Sequence, residues 1–178
     1  MKIILIGIQG AGKSTQGNIL SKKLGIPYLS TGHIFRDMAK EKTKIGRYLK
    51  EIMVSGALVP DKTTLEIVTE YLKRPEYKDG YIMDGFPRTI SQAKAFKNGI
   101  DWAVYLKVLD KEALWRLSYR TEEREDETLE ALRKRIELFH EVTKPVTDYY
   151  KGKRKLIEID GEKEIAEISR EILRAVKK

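Results

Sequence analysis

The sequence predicts an α/β fold in which helices cover both faces of a five-stranded parallel sheet. Five short apolar segments have the length and composition of buried strands, and amphipathic helical patterns lie between them. Strands that alternate with helices are joined by right-handed crossovers, which makes the sheet parallel. The predicted strands are Lys2–Gly7, Pro27–Ser30, Tyr81–Asp84, Ala103–Val108 and Lys155–Asp160.

The helical segments are predicted from apolar residues at three-or-four spacing. One pattern over residues 65–72 follows a predicted helix cap at Asp61. The longest pattern runs over residues 129–146 from a predicted cap near Asp126, and Pro145 permits a kink within it. Ligands of such folds bind beyond the carboxyl ends of the strands, so the residues that follow each strand are the candidates for a site.

Composition excludes several classes of site. The chain has 178 residues, enough for one well-packed domain, and it lacks cysteine, which excludes disulfides, thiolate catalysis and cysteine-ligated zinc. No apolar run has the length of a membrane span or of a signal-peptide core, which predicts a soluble intracellular protein, placed in the cytoplasm. Charged residues make up 35% of the chain and amides are few, as in thermophile proteins.

The formal charge of +8 is compatible with nucleic acid, anionic lipid or phosphorylated small molecules. The lysines are scattered, and the basic clusters are short, as in residues 151–155. No basic stripe is interleaved with aromatic residues of the kind that stack on bases. The distribution therefore favours small phosphorylated ligands over nucleic acid or membrane.

The first predicted strand runs directly into the segment GIQGAGKST, which fits the pattern G-x-x-x-x-G-K-[ST]. Gly7, Gly10 and Gly12 allow the backbone amides to turn inward, and the next helix directs its positive end toward the same anion. Lys13 would reach the terminal phosphates, and the Ser14 hydroxyl would ligate magnesium. The segment predicts a P-loop and a nucleotide as ligand.

Candidate polar residues also follow the second and third strands. Asp84 ends the third strand in the segment DGFPRT, where a carboxylate can hold magnesium through water near Ser14. Arg88 follows it on a proline-containing loop. After the second strand, the segment STGHIFR offers a helix cap at Ser30 or Thr31 and an arginine at position 36.

These residues carry a resemblance to a known family. The segments GIQGAGKST, STGHIFR, SGALVPD and DGFPRTISQA, in this order and spacing, resemble adenylate kinases of the nucleoside monophosphate kinase family. The resemblance extends through RKRIELFHEVTKPVTDYY to IDGEKEIAEI and so covers nearly the whole chain. It implies the reaction of MgATP with AMP to give two ADP. The implied fold is a single P-loop kinase domain of the three-layer α/β/α type.

The resemblance also implies a division of the chain. The core comprises residues 1–29, 60–119 and 128–178, a helical insert at about 30–59 binds the acceptor, and a short lid lies at about 120–127. Only three residues separate Arg120 from Arg124, and they span about 10 to 14 Å, which excludes a long zinc-bearing lid. Glu125 and Glu127 surround Asp126 where short-lid relatives carry paired aspartates, so of these residues only Asp126 matches the pattern.

Site residues follow from the resemblance, position by position. Lys13, Arg88, Arg120, Arg124 and Arg135 correspond to catalytic residues around the transferred phosphoryl group. The implied ATP-binding residues are Gly10, Ala11, Gly12, Lys13, Ser14, Thr15, Arg116, Arg120 and Gly161. The implied AMP-binding residues are Thr31, Arg36, Met53, Ala57, Val59, Gly85, Arg88, Gln92, Arg124 and Arg135. Magnesium, carried with the nucleotide, would be held by Ser14 and, through water, by Asp84.

The arginines suit the chemistry, because the transition state of phosphoryl transfer spreads negative charge over oxygens that guanidiniums stabilise. No general base is required of His33 or His140, which are interpreted as a helix-surface residue and a structural residue. Gln9 stands where the family often has proline, and it is expected to alter loop stiffness without removing a backbone phosphate contact.

Two alternatives stay open at the level of the sequence. A kinase for UMP or CMP would share the fold, although Thr31 and Thr89 favour AMP. A non-catalytic P-loop switch would bind nucleotide but would have no need of Arg36 and Arg88 on an acceptor phosphate. The oligomeric state is either a monomer or a small homo-oligomer. The short lid predicts loose selection of the donor base among ATP and other nucleoside triphosphates.

Overall fold

The computed structural model describes residues 1–119 and 128–177, and these residues form a parallel sheet packed with helices. The strand order is β2-β3-β1-β4-β5, and every neighbouring pair runs parallel. The sequence prediction of five parallel strands is confirmed, with each end within one residue of its predicted position. The strands are β1 Lys2–Ile6, β2 Tyr28–Ser30, β3 Tyr81–Asp84, β4 Trp102–Lys107 and β5 Leu156–Asp160.

The strand register brings three carboxyl ends together. Asp84, the last residue of β3, is level with Leu5 of β1 on one side and with Ser30 of β2 on the other. The loops that follow β1, β2 and β3 therefore leave the sheet at the same edge. This is the edge at which parallel α/β sheets place their ligands.

Helices surround the sheet and connect its strands by crossovers. The helix α1 packs against α9, and α8 packs against β4 and β5. A short 3-10 turn covers Pro75–Tyr77. The α-helices within the described ranges are α1 Lys13–Leu24, α2 Thr31–Lys40, α3 Lys44–Val54, α4 Asp61–Tyr71, α5 Ile90–Ala95, α6 Asp110–Ser118, α7 Leu129–Leu138, α8 Pro145–Gly152 and α9 Ile165–Val176.

The core lies on both faces of the central strands. All four residues of β3 are buried, and Ile3 and Ile4 of β1 are fully inaccessible to solvent. A strand that is buried on both faces reads as a continuous apolar run, which is why the sequence revealed these strands so clearly. Across residues 1–119 and 128–177, the helices are all too short or too polar to cross a lipid bilayer.

The longest predicted helix is interrupted in the structure. The helix α7 ends at Leu138, a π-helical turn covers Phe139–Thr143, and α8 begins at Pro145. The Lys144 amide donates to the carbonyl of Phe139 at 2.7 Å, five residues back. Proline has no amide hydrogen and its ring crowds the preceding turn, so a regular helix cannot run through this position.

Two predicted side-chain caps are wrong, those at Ser30 and Asp61. The side chain of Ser30 does not cap α2, because its hydroxyl donates to the Asp84 carboxylate instead. Asp61 is the first residue of α4 and not its cap. Its carboxylate accepts hydrogen bonds from Gln92 of α5 and from Thr89, the residue before α5. The cap of α7 is Thr128, whose hydroxyl accepts from the Ala131 amide, whereas Asp126 lies outside the described residues.

Candidate active site

A cavity of about 710 Å³ opens at the carboxyl edge of the sheet. The loop between β1 and α1 forms one part of its wall, and the loop after β3 forms another. Residues from α2, α3, α6, α7 and the start of α9 also contribute to the lining. The predicted site residues in this lining are Gly10, Ala11, Gly12, Lys13, Ser14, Thr15, Arg36, Met53, Ala57, Val59, Asp84, Gly85, Arg88, Gln92, Arg116 and Arg135.

The P-loop is shaped by close backbone packing. Gly10 has φ of +90°, and a Cβ atom at this position would lie 2.4 Å from the carbonyl oxygen of Ala113 in α6. Only glycine fits this approach, so the loop and α6 are fixed against each other. The Lys13 ammonium donates to the carbonyls of Gly7 and Ile8, both at 2.8 Å. These contacts hold the lysine over the loop, where a phosphate can replace the carbonyls as its partner.

Asp84 is a buried carboxylate held by two hydroxyl groups. The Tyr28 phenol donates to Oδ2 at 2.5 Å, and the Ser30 hydroxyl donates to Oδ1 at 3.1 Å. Burial raises the pKa of Tyr28 well above its ordinary value, and the Asp84 carboxylate raises it further, so the phenol remains a donor. The sequence placed Asp84 in the site but gave Tyr28 no role there. Tyr28 lies within a predicted strand, where an aromatic residue is expected to pack in the core.

Three arginines converge in the cavity. Removal of the Arg88 guanidinium from water lowers its pKa, and the nearby guanidinium of Arg135 and then that of Arg36 lower it further. The Asp84 carboxylate opposes this effect. Positive charges that crowd one another in a half-buried site are stabilised by a bound anion. This part of the cavity therefore has the charge to bind an anion in addition to the one expected at the P-loop.

Arg135 connects three elements around the cavity. Its Nη2 donates to the carbonyl of Met53 in α3 at 2.9 Å, and its Nη1 donates to Oε1 of Gln9 at 3.2 Å. The sequence assigned Gln9 only an effect on loop stiffness and missed this side-chain contact. No sequence signal pairs these residues, because they lie far apart in the chain and meet only through the fold.

The Gln92 amide is oriented by a buried network. Its Oε1 accepts from the Arg88 amide at 2.7 Å, and its Nε2 donates to Asp61 Oδ1 at 2.8 Å. The Thr89 hydroxyl donates to the other oxygen of Asp61 at 2.9 Å. The same hydroxyl caps α5, because it accepts a hydrogen bond from the backbone amide of Gln92. Gln92 borders the cavity although it is only 1% exposed.

Two predicted site residues within the described chain, Thr31 and Gly161, are not part of the cavity lining. Thr31 is only 1% exposed, and its hydroxyl donates to the backbone carbonyl of Asp84 at 3.3 Å. A Cβ atom on Gly85 would lie 2.3 Å from that hydroxyl oxygen, so Thr31 sets the backbone path of Gly85. Gly161 contributes its carbonyl oxygen, which accepts from Arg116 Nη1 at 2.8 Å.

Arg116 also lines the cavity, and two hydrogen bonds hold its guanidinium. Its Nε donates to Glu112 Oε1 at 2.6 Å, one helical turn earlier on α6. With Gly161 as its second partner, the guanidinium is held between α6 and the loop after β5. The spacing of Glu112 and Arg116 is a helical pair that the sequence could have shown.

The histidines lie where the sequence placed them. His33 is exposed on α2, although it also borders the cavity. His140 in the π-helical turn contacts the Asp110 carboxylate at 2.8 Å, at the start of α6. This contact ties two elements together, which fits the structural role predicted for His140.

Some predicted features fall outside the described residues. Arg120, Arg124 and Asp126, and the predicted lid at 120–127 as a whole, belong to the part of the chain that the structure does not describe. Residues 1–119 and 128–177 contain no group of three or more histidine, cysteine or carboxylate side chains that could hold a metal ion.

Comparisons with known proteins place the chain among one set of relatives. A family model described as adenylate kinase matches residues 5–155. An adenylate kinase of Caldicellulosiruptor bescii is 37% identical in an alignment 212 residues long, and this alignment covers 99% of this chain and 99% of the relative. An adenylate kinase of Methanocella arvoryzae is 33% identical over 214 residues, covering 100% of this chain and 99% of the relative. One of Staphylococcus aureus is 34% identical over 209 residues, covering 97% of each.

Proposed function

This chain belongs to the adenylate kinase family, and from that premise we propose that it transfers a phosphoryl group reversibly from ATP to AMP, giving two ADP. The observation that carries the proposal is the cluster of Arg36, Arg88 and Arg135 in the cavity that the P-loop also lines, where a second phosphate group would bind. A protein that binds only one nucleotide has no use for it. The site therefore favours a kinase with a phosphorylated acceptor over a nucleotide-binding switch.

The reaction needs little covalent participation by the protein. A phosphate oxygen of AMP attacks the γ-phosphorus of ATP, the new P–O bond forms as the β–γ bridge bond breaks, and ADP leaves. Lys13 and the P-loop amides hold the donor phosphates, while Arg36 and Arg88 hold the acceptor phosphate. Arg135, with Arg120 and Arg124, stabilises the charge on the transferred group. Gln92 reads the adenine edge of AMP.

Magnesium would arrive with the nucleotide. Ser14 and Asp84 both line the cavity and offer a hydroxyl and a carboxylate, which are hard oxygen ligands. Two such groups are too few for a protein-only site, and they fit an ion that keeps its waters and the nucleotide phosphates. Bound there, magnesium would neutralise phosphate charge during transfer. We expect no zinc, because the chain has no cysteine.

The division into core, acceptor insert at about 30–59 and lid at about 120–127 is part of the proposal. Support comes from the alignments, which run over 209 to 214 residues although this chain has 178. The relatives therefore possess segments that have no counterpart here. A lid of minimal length agrees with that difference.

We expect the enzyme to act in the cytoplasm of a heat-adapted organism, as a monomer or a small homo-oligomer, without nucleic acid or membrane as a partner. The charge-rich, amide-poor composition supports the heat adaptation. Light scattering measures the assembly state, and an unfolding midpoint above about 65 °C would support heat adaptation.

The activity is tested with Lys13→Met in a coupled assay of ADP formation. The wild type should form ADP only when ATP and AMP are both present, and the variant should lose about 100-fold or more in kcat because donor charge is no longer neutralised. Lys23→Met makes the same change on an exposed part of α1 outside the cavity and should remain active. Absence of AMP-dependent ADP formation in the wild type would overturn the proposal.

Donor and acceptor selection are tested with two substrate panels. With AMP fixed, ATP, GTP, CTP and UTP should turn over at similar rates, because a minimal lid leaves few side chains to read the donor base. Strict preference for ATP would contradict loose donor selection.

The acceptor panel keeps ATP fixed. The rate with AMP should clearly exceed the rates with UMP and CMP, and the reverse order would identify a pyrimidine nucleotide kinase.

A further inference from the structure

Two large apolar side chains are exposed where they border the cavity. Trp115 is 57% exposed and Ile165 is 54% exposed, and both belong to the cavity lining. Exposed apolar area that faces a ligand cavity indicates an apolar group on the ligand. Trp115 precedes Arg116 on α6, and Ile165 begins α9 shortly after Gly161, so both residues adjoin the Arg116–Gly161 contact.

The position of Trp115 is fixed relative to the P-loop. The helix α6 abuts Gly10 through Ala113, two residues before Trp115. Glu112, Trp115, Arg116 and Tyr119 are spaced three and four apart and so share one helical face. Of these, Glu112, Trp115 and Arg116 line the cavity. A triphosphate held by the P-loop therefore has its nucleoside within the same cavity as the indole.

The indole is supported by a second aromatic ring. The ring centroids of Trp115 and Tyr119 lie 4.8 Å apart with an angle of 55° between the planes. Aromatic rings in such contact restrict each other and present a preformed surface. An indole face accepts any nucleobase by stacking, since every base has a π face.

We propose that Trp115 contacts the base of the donor nucleotide and supplies base-independent binding affinity. The inference rests on the proposed function for the identity of the donor, and it adds a specific contact on the protein. The contact explains the exposure of the indole in the cavity. It also provides affinity without reading the base edge, as loose donor selection requires.

The first test uses tryptophan fluorescence. The chain has two tryptophans, so Trp102→Phe leaves Trp115 as the only indole. Titration with ATP, GTP and CTP should change the emission of this variant. Inorganic tripolyphosphate, which occupies the phosphate sites without a base, should leave the emission unchanged. Equal responses to tripolyphosphate and to ATP, or no response to any nucleotide that calorimetry shows to bind, would overturn the inference.

The second test measures donor affinity. Trp115→Ala should raise the dissociation constant of ATP and of GTP alike by about ten-fold, the loss typical of one base-stacking ring, while Trp115→Phe should retain most of the affinity. The KM for AMP should change little. Leu114→Ala is the matched control, because Leu114 is an exposed neighbour on α6 outside the cavity lining.

The two proposals fail in distinguishable ways. If the wild type binds ATP but forms no ADP, the proposed reaction is wrong and the fluorescence titration still decides the role of Trp115. If the enzyme is active and Trp115→Ala binds ATP as tightly as Leu114→Ala, the contact is wrong and the reaction stands.

Discussion

Single residues at this site depend on partners that lie far away in the sequence. Asp84 is oriented by Tyr28 and Ser30, Gln92 by Asp61, and Arg135 by Gln9. Each pair joins a predicted site residue to one whose role the sequence did not show. The side chains that we propose as ligand contacts are thus held by others that do not need to touch the ligand.

Tyr28→Phe tests this dependence at Asp84. Loss of the phenol leaves a buried carboxylate oxygen without its donor, and we expect about 1 to 3 kcal/mol of lost stability in urea unfolding. We also expect a several-fold rise in the Mg²⁺ concentration that gives half-maximal nucleotide binding, measured by calorimetry.

The control for Tyr28→Phe is Tyr149→Phe, the same chemical change on α8 outside the cavity lining. It should leave the magnesium dependence unchanged. A Tyr28→Phe variant that loses stability but keeps the wild-type magnesium dependence would show that the phenol has a structural role only.

At the scale of elements, the sequence predicted strands better than helix ends. The central strands β1 and β3 are buried on both faces, so their apolar runs are nearly continuous, and the P-loop follows β1 directly. The caps failed at Ser30 and Asp61 because their side chains form tertiary hydrogen bonds instead of local ones. A local pattern cannot show such competition, since the competing partner comes from another segment.

The contact between α1 and β2 gives a second prediction. A Cβ atom on Gly17 would lie 2.4 Å from the Tyr28 ring, so Gly17→Ala must displace the ring that orients Asp84. Alanine favours a helix by about 1 kcal/mol over glycine, yet we expect a net loss of about 1 to 3 kcal/mol from overpacking. Urea unfolding measures the change.

Gly152→Ala is the matched control for Gly17→Ala. Gly152 ends α8 and a Cβ atom there meets no described atom within 4 Å, so the substitution should be neutral or stabilising. Equal effects of the two substitutions would show that the packing of Gly17 on Tyr28 is not tight.

At the scale of the whole molecule, the sequence was sufficient for the strand count, the parallel arrangement and the edge of the sheet at which the cavity opens. It was insufficient for the side-chain networks that hold the site, because strand register and crossover packing bring those residues together. Trp115 illustrates the difference: its spacing from Glu112 and Tyr119 is visible in the sequence, but its position in the cavity is not.

Buried tyrosines also affect the molecule as a whole, through its stability at alkaline pH. Burial raises the pKa of Tyr28, Tyr81 and Tyr150 well above the ordinary value near 10. Above pH 10 the unfolded chain loses these protons while the folded protein retains them. The stability that these groups contribute is therefore complete below pH 10 and is lost as the pH rises further.

Tyr150→Phe should make the loss of stability above pH 10 less steep. One buried tyrosine contributes a slope of about 1.4 kcal/mol per pH unit between its unfolded and folded pKa values, and the variant lacks it. Urea unfolding at pH 9, 10 and 11 gives the slope, and phenolate absorbance gives the number of tyrosines that titrate before unfolding. The control is Tyr119→Phe, because Tyr119 is 69% exposed. Its slope of stability against pH should equal that of the wild type. Identical slopes for the two variants would mean that Tyr150 ionises in the folded protein as easily as in the unfolded chain.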